Sequence, residues 1–207
     1  MRIIMKRGGM VTFVSAVLLV SLALFTSGDA CDKVPSMSRE DACLKVGSNA
    51  NKGWHRACQD ALRSAPDTAE VTAYALMASR KALAKYNGTT KRIDDMLGDW
   101  NVTIQLKSTL QTCNEQYGKA RGLMVGVAER LSRCDLAPAP PVMEEETAES
   151  VLNACALDLW LGEWHYAPAE LLLRILNDDC DLSGVAYGLR DLAAAGNMSS
   201  VAGSTVY

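Results

Sequence analysis

Apolar side chains recur at helical spacing through most of this chain. Leu106, Leu110, Cys113, Tyr117, Ala120, Met124, Val127 and Leu131 advance in alternating steps of 4 and 3, which places them on one face of a helix of about seven turns. A half-buried strand alternates every second residue and cannot give this series. Upstream, Val71, Ala75, Ala78, Ala82 and Tyr86 repeat the spacing, and Ile93 and Leu97 carry the face past Gly88. Asp67 or Thr68, just after Pro66, is placed to cap the start of that helix. Downstream, Leu152, Cys155 and Leu159 follow Glu144-Glu145-Glu146, whose negative charge suits a first helical turn. A last stripe of Leu182, Val185, Leu189 and Leu192 runs toward Gly196, placed to end it.

Four stripes of similar length, separated by polar or Pro-rich breaks near 98–103, 135–143 and 166–181, predict an all-α fold. The expected architecture is an up-down-up-down four-helix bundle over residues 67–197 with a short tail at 198–207. Composition agrees, because 28 Ala and 25 Leu outweigh the scarce strand-forming clusters. Ala137-Pro138-Ala139-Pro140-Pro141 cannot be helical and is expected to be an extended link between two helix pairs. Residues 31–66 look different: Cys31, Cys43, Cys58, two prolines and short helical pieces suggest an appended segment tied down by a disulfide.

Charge changes the picture at the N-terminus. Val11 to Phe25 carries no charge, follows Arg2, Lys6 and Arg7, and is shorter than the roughly 20 residues that span a bilayer as a helix. With Ser27, Gly28 and Ala30 behind it, residues 1–30 read as a secretory signal peptide cut after Ala30. Losing Arg2, Lys6, Arg7 and Asp29 moves the formal charge from −3 to −5. A mildly acidic mature chain without a Lys/Arg field argues against nucleic acid or a membrane as partner after cleavage. In an oxidising compartment seven cysteines give at most three disulfides and one odd thiol. Asn87-Gly88-Thr89, Asn101-Val102-Thr103 and Asn197-Met198-Ser199 are N-glycosylation acceptor triplets, consistent with a secreted, extracellular glycoprotein.

Ala42-Cys43, then Cys58-Gln59-Asp60-Ala61-Leu62-Arg63-Ser64-Ala65-Pro66, then Leu110-Gln111-Thr112-Cys113 with Tyr117 and Ala120 a turn apart, then Cys155 42 positions after Cys113, resemble one family. That family is the plant invertase and pectin methylesterase inhibitors, and the resemblance covers most of the mature chain. It implies a four-helix bundle with an N-terminal, disulfide-tied helical hairpin. It also implies Cys43 bonded to Cys58 and Cys113 bonded to Cys155. Both members of the second pair lie on apolar stripes, so antiparallel packing brings them within reach. Cys31, Cys134 and Cys180 have no assigned counterpart, and which two of them pair stays open.

The residues give little sign of catalysis. His55 and His165 sit in neither a helical two-His metal spacing nor a recognisable nucleophile setting, and no cofactor is implied. Glu163-Trp164-His165-Tyr166 reads as a helix end with an aromatic anchor. Asp94-Asp95, Asp178-Asp179-Cys180-Asp181 and Glu144 to Glu146 lack the alternating ligands and central Gly of a calcium loop, and read as caps and solvated faces. Trp54, Trp100, Trp160 and Trp164 are expected in packing. The family implies a non-enzymatic protein that forms a one-to-one complex with a cell-wall enzyme in the apoplast. Invertase inhibitors of this family can carry a Pro-Lys-Phe insertion between the second and third bundle helices. Here that region reads Leu136-Ala137-Pro138-Ala139-Pro140-Pro141-Val142, so pectin methylesterase is favoured over invertase. A secreted helical storage or small-ligand-carrying protein is the rival reading. Candidate contacts are Gln105, Thr109, Thr112, Gln116 and Lys119, spaced by 3 or 4 as a polar face expected to lie opposite the Leu106 to Leu131 stripe.

Overall fold

The computed structural model describes residues 31, 34–48, 52–136, 144–162, 164 and 166–202. The signal-peptide expectation for 1–30 and the extended link at 137–141 lie outside them. Six helices carry the fold: α1 (Arg39–Ser48), α2 (Lys52–Ala61), α3 (Val71–Gly98), α4 (Ile104–Leu131), α5 (Glu144–Leu161) and α6 (Ala167–Ala202). Helices α3 to α6 form a ring in which each packs on its chain neighbours and α6 closes against α3. Side-chain bonds fix the directions. Asp94 meets Asn114 and Asn87 meets Arg121, Arg130 meets Glu144, Glu145 meets Arg190, and Thr89 meets Asp179, so neighbours run antiparallel throughout. The predicted up-down-up-down bundle is the observed one.

All eight residues of the Leu106 to Leu131 stripe are buried, as are Val71, Ala75, Ala78, Ala82, Tyr86 and Ile93 on α3. Cys113 and Cys155 are bonded across the α4–α5 seam, with Cα atoms 5.0 Å apart, and Cys43 is bonded to Cys58 within the α1–α2 hairpin. The open question about the other three resolves as Cys31 bonded to Cys134, leaving Cys180 as a buried thiol. Cys134 follows α4 with a φ of 57°, the left-handed conformation usually given to Gly at a helix end. Its N–H donates to Leu131 and that of Asp135 to Arg130, a Schellman-type closure held in place by the bond to Cys31.

Several boundaries differ from the sequence expectation. The start of α3 is at Val71, with Glu70 in the capping position, not Asp67 or Thr68. Those two are used elsewhere: Asp67 pairs with Arg39 at 3.1 Å, and Thr68–Glu70 (β2) pairs antiparallel with Ser36–Ser38 (β1), strands too short for a period-two signal. The expected break at 166–181 is helical, because α6 already starts at Ala167 and continues through Gly196. Pro168 sits in its first turn, where a missing N–H costs little. The four bundle helices are therefore unequal, from 18 residues in α5 to 36 in α6.

Two acidic runs expected at caps and solvated faces also differ. Glu145 is fully buried, and Arg190 Nη1 donates to both its oxygens at 3.0 and 2.9 Å. Asp179 is fully buried between α3, α4 and α6. Its Oδ2 accepts from Thr89 at 2.7 Å and from Tyr117 at 2.8 Å, while Oδ1 has no partner among the described residues. The Tyr86 hydroxyl bonds Ser183 one turn away, and the rings of Tyr86 and Tyr117 meet edge to face at 5.7 Å.

Candidate functional site

Thr103 caps α4 by accepting from Leu106 N, which fixes where the helix begins and which way its faces point. Gln105, Thr109, Thr112, Gln116 and Lys119 each precede a member of the buried stripe. A step of one residue turns a helix by about 100°, so these side chains flank the stripe and do not lie opposite it. Burial follows that geometry. Gln105, Thr112 and Lys119 are exposed, Thr109 and Gln116 half-buried, and Gln116 Oε1 is shut off from solvent without a hydrogen-bond partner among the described residues. The hydroxyls of Thr109 and Thr112 turn back to the carbonyls of Gln105 and Ser108, at 3.5 and 3.3 Å. The five residues therefore form a strip beside the stripe, whose solvent-facing members are Gln105, Thr112 and Lys119.

Sequence reasoning missed the apolar residues at the same end of the bundle. Trp100 is 87% exposed, Ile104 81% and Trp160 64%, with Leu157 and Leu161 also exposed, so the expectation of packed tryptophans fails for Trp100 and Trp160. Trp54 and Trp164 do pack, half-buried, against the core. The two connections at this end are tied together. Tyr166 donates to Asp99 Oδ2 at 2.8 Å, and Asp99 Oδ1 accepts from the backbone and side chain of Asn101. The Asn101 backbone bond, then the Tyr166 bond, hold the Asp99 carboxyl below its ordinary range. An available signal was the setting of Trp100, in Gly98-Asp99-Trp100-Asn101, where a turn leaves little core to receive an indole. The α4 strip exposes hydrogen-bonding groups and this end exposes large apolar ones, the two kinds of group that protein-docking surfaces combine.

The remaining candidates separate. Glu163 and His165 lie outside the described residues. His55 is half-buried in α2 with Nε2 shut off from solvent. Cys180, beside Asp179, is a buried thiol whose ionisation burial pushes up to about 12, which keeps it protonated and unreactive. Asn101 is exposed in the α3–α4 connection, whereas Asn87 is exposed in the middle of α3 with its partner Thr89 buried. Asn197 falls on α6, and its side chain is outside the described set. No described helix is long and apolar enough to cross a membrane.

No family model and no curated protein matches this sequence. Among solved structures, the chain is similar to a mutant form of a pectin methylesterase inhibitor from Arabidopsis, at a TM-score of 0.59 and 18% identity. The match covers 75% of this chain and 97% of that one. The two chains share one fold. A pectin methylesterase inhibitor from Arabidopsis thaliana matches at 16% identity, a TM-score of 0.49, 76% of this chain and 98% of that one.

Proposed function

We propose that this protein belongs to the plant invertase and pectin methylesterase inhibitor family, is secreted, and blocks a pectin methylesterase in a one-to-one complex. The observation that carries the reading is the shared fold over nearly the whole length of a pectin methylesterase inhibitor. Support comes also from Cys43–Cys58 and Cys113–Cys155, bonded in the pairs that the family resemblance implies. A disulfide-tied bundle loses little conformational entropy on docking, which suits an inhibitor. Gln105, Thr112 and Lys119 supply polar contacts, and Trp100, Ile104 and Trp160 supply apolar anchors. Pectin methylesterase is preferred to invertase because the Pro-Lys-Phe insertion is missing from the 136–142 region. Export through residues 1–30 places the protein in the cell wall, and Asn101, in an exposed connection, is the acceptor best presented for a glycan.

Inhibition of a pectin methylesterase and an invertase by the purified protein, measured side by side, tests the reading. Inhibition of the first alone is expected, weakening with added salt as rim charges are screened. Thr112→Ala and Trp160→Ala should each weaken it by roughly 5- to 150-fold, or about 1–3 kcal/mol, with unchanged melting temperature because both side chains are exposed. Unchanged inhibition by both variants would move the docking surface elsewhere. No inhibition of pectin methylesterase by the parent at micromolar concentration would reject the target.

A further inference from the structure

A trough runs along the seam where α3 meets α6, on the side of the bundle that receives the hairpin. Its first depression, about 430 Å³, lies between α2, α3 and α6 and includes Arg56, Lys81 and Lys85 together with Asp60, Asp178 and Asp181. The next, about 360 Å³, shares Lys81 and Lys85 and adds Arg92, with Gly88 and Ile175 between them. A third, about 490 Å³, shares Gly88 and Arg92 and runs on to Asp95 and Asp99. Lys81, Lys85 and Arg92 are spaced by 4 and 7, which keeps them on one face of α3 over about 16 Å.

These three cations are exposed, and none takes part in an ion pair among the described residues. Their neighbours behave differently: Lys91 is held by Asp95 at 3.0 Å, and Arg39 by Asp67. No carboxylate lines the middle depression among the described residues, while carboxylates stand at both its ends. The middle depression thus gathers three cations and no carboxylate, while Asp60, Asp178 and Asp181 stand at one end of the trough and Asp95 and Asp99 at the other. That geometry complements a linear chain carrying several negative charges, and the flanking carboxylates limit it to a short stretch.

We propose that this trough binds a short stretch of a carboxylated polysaccharide, a polyuronate with free acid groups. The choice of uronate among polyanions rests on the inhibitor reading above, because removing methyl esters from pectin exposes such carboxylates. Lys81, Lys85 and Arg92 pair with carboxylates along that stretch, and Gly88 leaves open space above the helix, with no atom within 4 Å of where a Cβ would stand. The middle of the trough lies on the α3–α6 seam and the polar residues on α4, so the two surfaces approach each other only at the Asp99–Tyr166 end. The inhibitor is thereby held on wall stretches where its target has already acted.

The test is titration of the purified protein with a short oligogalacturonate, beside its fully methyl-esterified form and a polyphosphate of equal charge. Binding of the free acid, lost on methyl esterification and with added salt, is expected. A Lys81→Gln/Lys85→Gln/Arg92→Gln variant should bind about tenfold more weakly, the size expected for three exposed ion pairs, with unchanged melting temperature. Equal binding by that variant, equal binding of the methyl-esterified chain, or binding of polyphosphate in place of the uronate would overturn the proposal. The same samples, assayed against pectin methylesterase, separate the two readings. Inhibition without uronate binding overturns the trough alone, whereas uronate binding without inhibition supports the trough and overturns the inhibitor reading.

Discussion

In the bundle, α3 and α4 bury a residue every three or four positions along 28 residues each, whereas the hairpin helices α1 and α2 are ten residues long and bury little more than Ala42, Cys43, Val46 and Cys58. Helices of ten residues are marginal alone. The hairpin is held by other means: Cys43–Cys58, the short β1–β2 pair, and Arg39, whose Nη1 reaches the carbonyls of Leu62 and Arg63 while Nη2 reaches Asp67. It also docks on a track of glycines along α6. A Cβ at Gly184 would come within 2.1 Å of Trp54, and one at Gly188 within 2.9 Å of Val46. The bundle is thus built by continuous burial along its own helices, the hairpin by a few specific contacts with a partner that makes room for it.

Removing one disulfide from each region should separate them most clearly. By chain entropy alone, Cys113–Cys155 closes 42 residues and contributes about 4 kcal/mol, and Cys43–Cys58 closes 15 and contributes about 3 kcal/mol. The double variant Cys113→Ala/Cys155→Ala should lower the urea midpoint of the whole molecule. In Cys43→Ala/Cys58→Ala, amide exchange should quicken in residues 39–61 while α3 to α6 keep their protection. Loss of protection throughout the second variant would show that hairpin and bundle fold as one unit.

Glycine substitutions sharpen the same contrast through the sign of the effect. Gly184→Ala drives a methyl group into the Trp54 ring and should destabilise hairpin docking by about 1–3 kcal/mol. Gly118→Ala, in the middle of α4 with nothing within 4 Å of its Cβ position, should stabilise the bundle by about 0.5–1 kcal/mol. Amide exchange in residues 39–61 followed beside melting by helical ellipticity distinguishes the two, because the first reports the hairpin and the second is dominated by the bundle. Equal and same-signed shifts would remove the distinction between the regions.

What could be read beforehand follows this division. The stripes of α3, α4 and α5 were legible because each is almost wholly apolar, and the bundle topology followed from them. The first half of α6 was not, since Asp179 and Ser183 occupy core positions between Leu176 and Ala186 and interrupt the pattern. Burial of Asp179 depends on Thr89 and Tyr117, which come from two other helices and have no signal near it in sequence. Similarly, the polar strip on α4 was found by its spacing, yet its offset of one residue from the stripe, which sets it beside the stripe and not opposite it, was overlooked. Trp100 and Trp160 were missed because composition assigns an indole to a core, while their places at a turn and near a helix end leave them outside.

The smallest expected effect concerns that interrupted stripe. Burial raises the Asp179 carboxyl above its ordinary range, opposed by the bonds from Thr89 and Tyr117 and by the charge of Lys85, with Asp178 adding to the rise. Because the folded protein holds this proton more tightly than the unfolded chain, the contribution of Asp179 to stability is fully present below the unfolded value near 3.8. It is lost as pH rises through the folded value. Other carboxylates add their own pH dependence, so the informative quantity is the difference between the parent and Asp179→Asn. Asn keeps an acceptor for Thr89 and Tyr117 and carries no charge. The variant should match the parent at pH 3 and melt above it at pH 7, with the gap opening between. Parallel melting curves at all pH values would mean that Asp179 does not titrate differently in the folded state, and a variant less stable at pH 7 would mean that the buried charge is favourable.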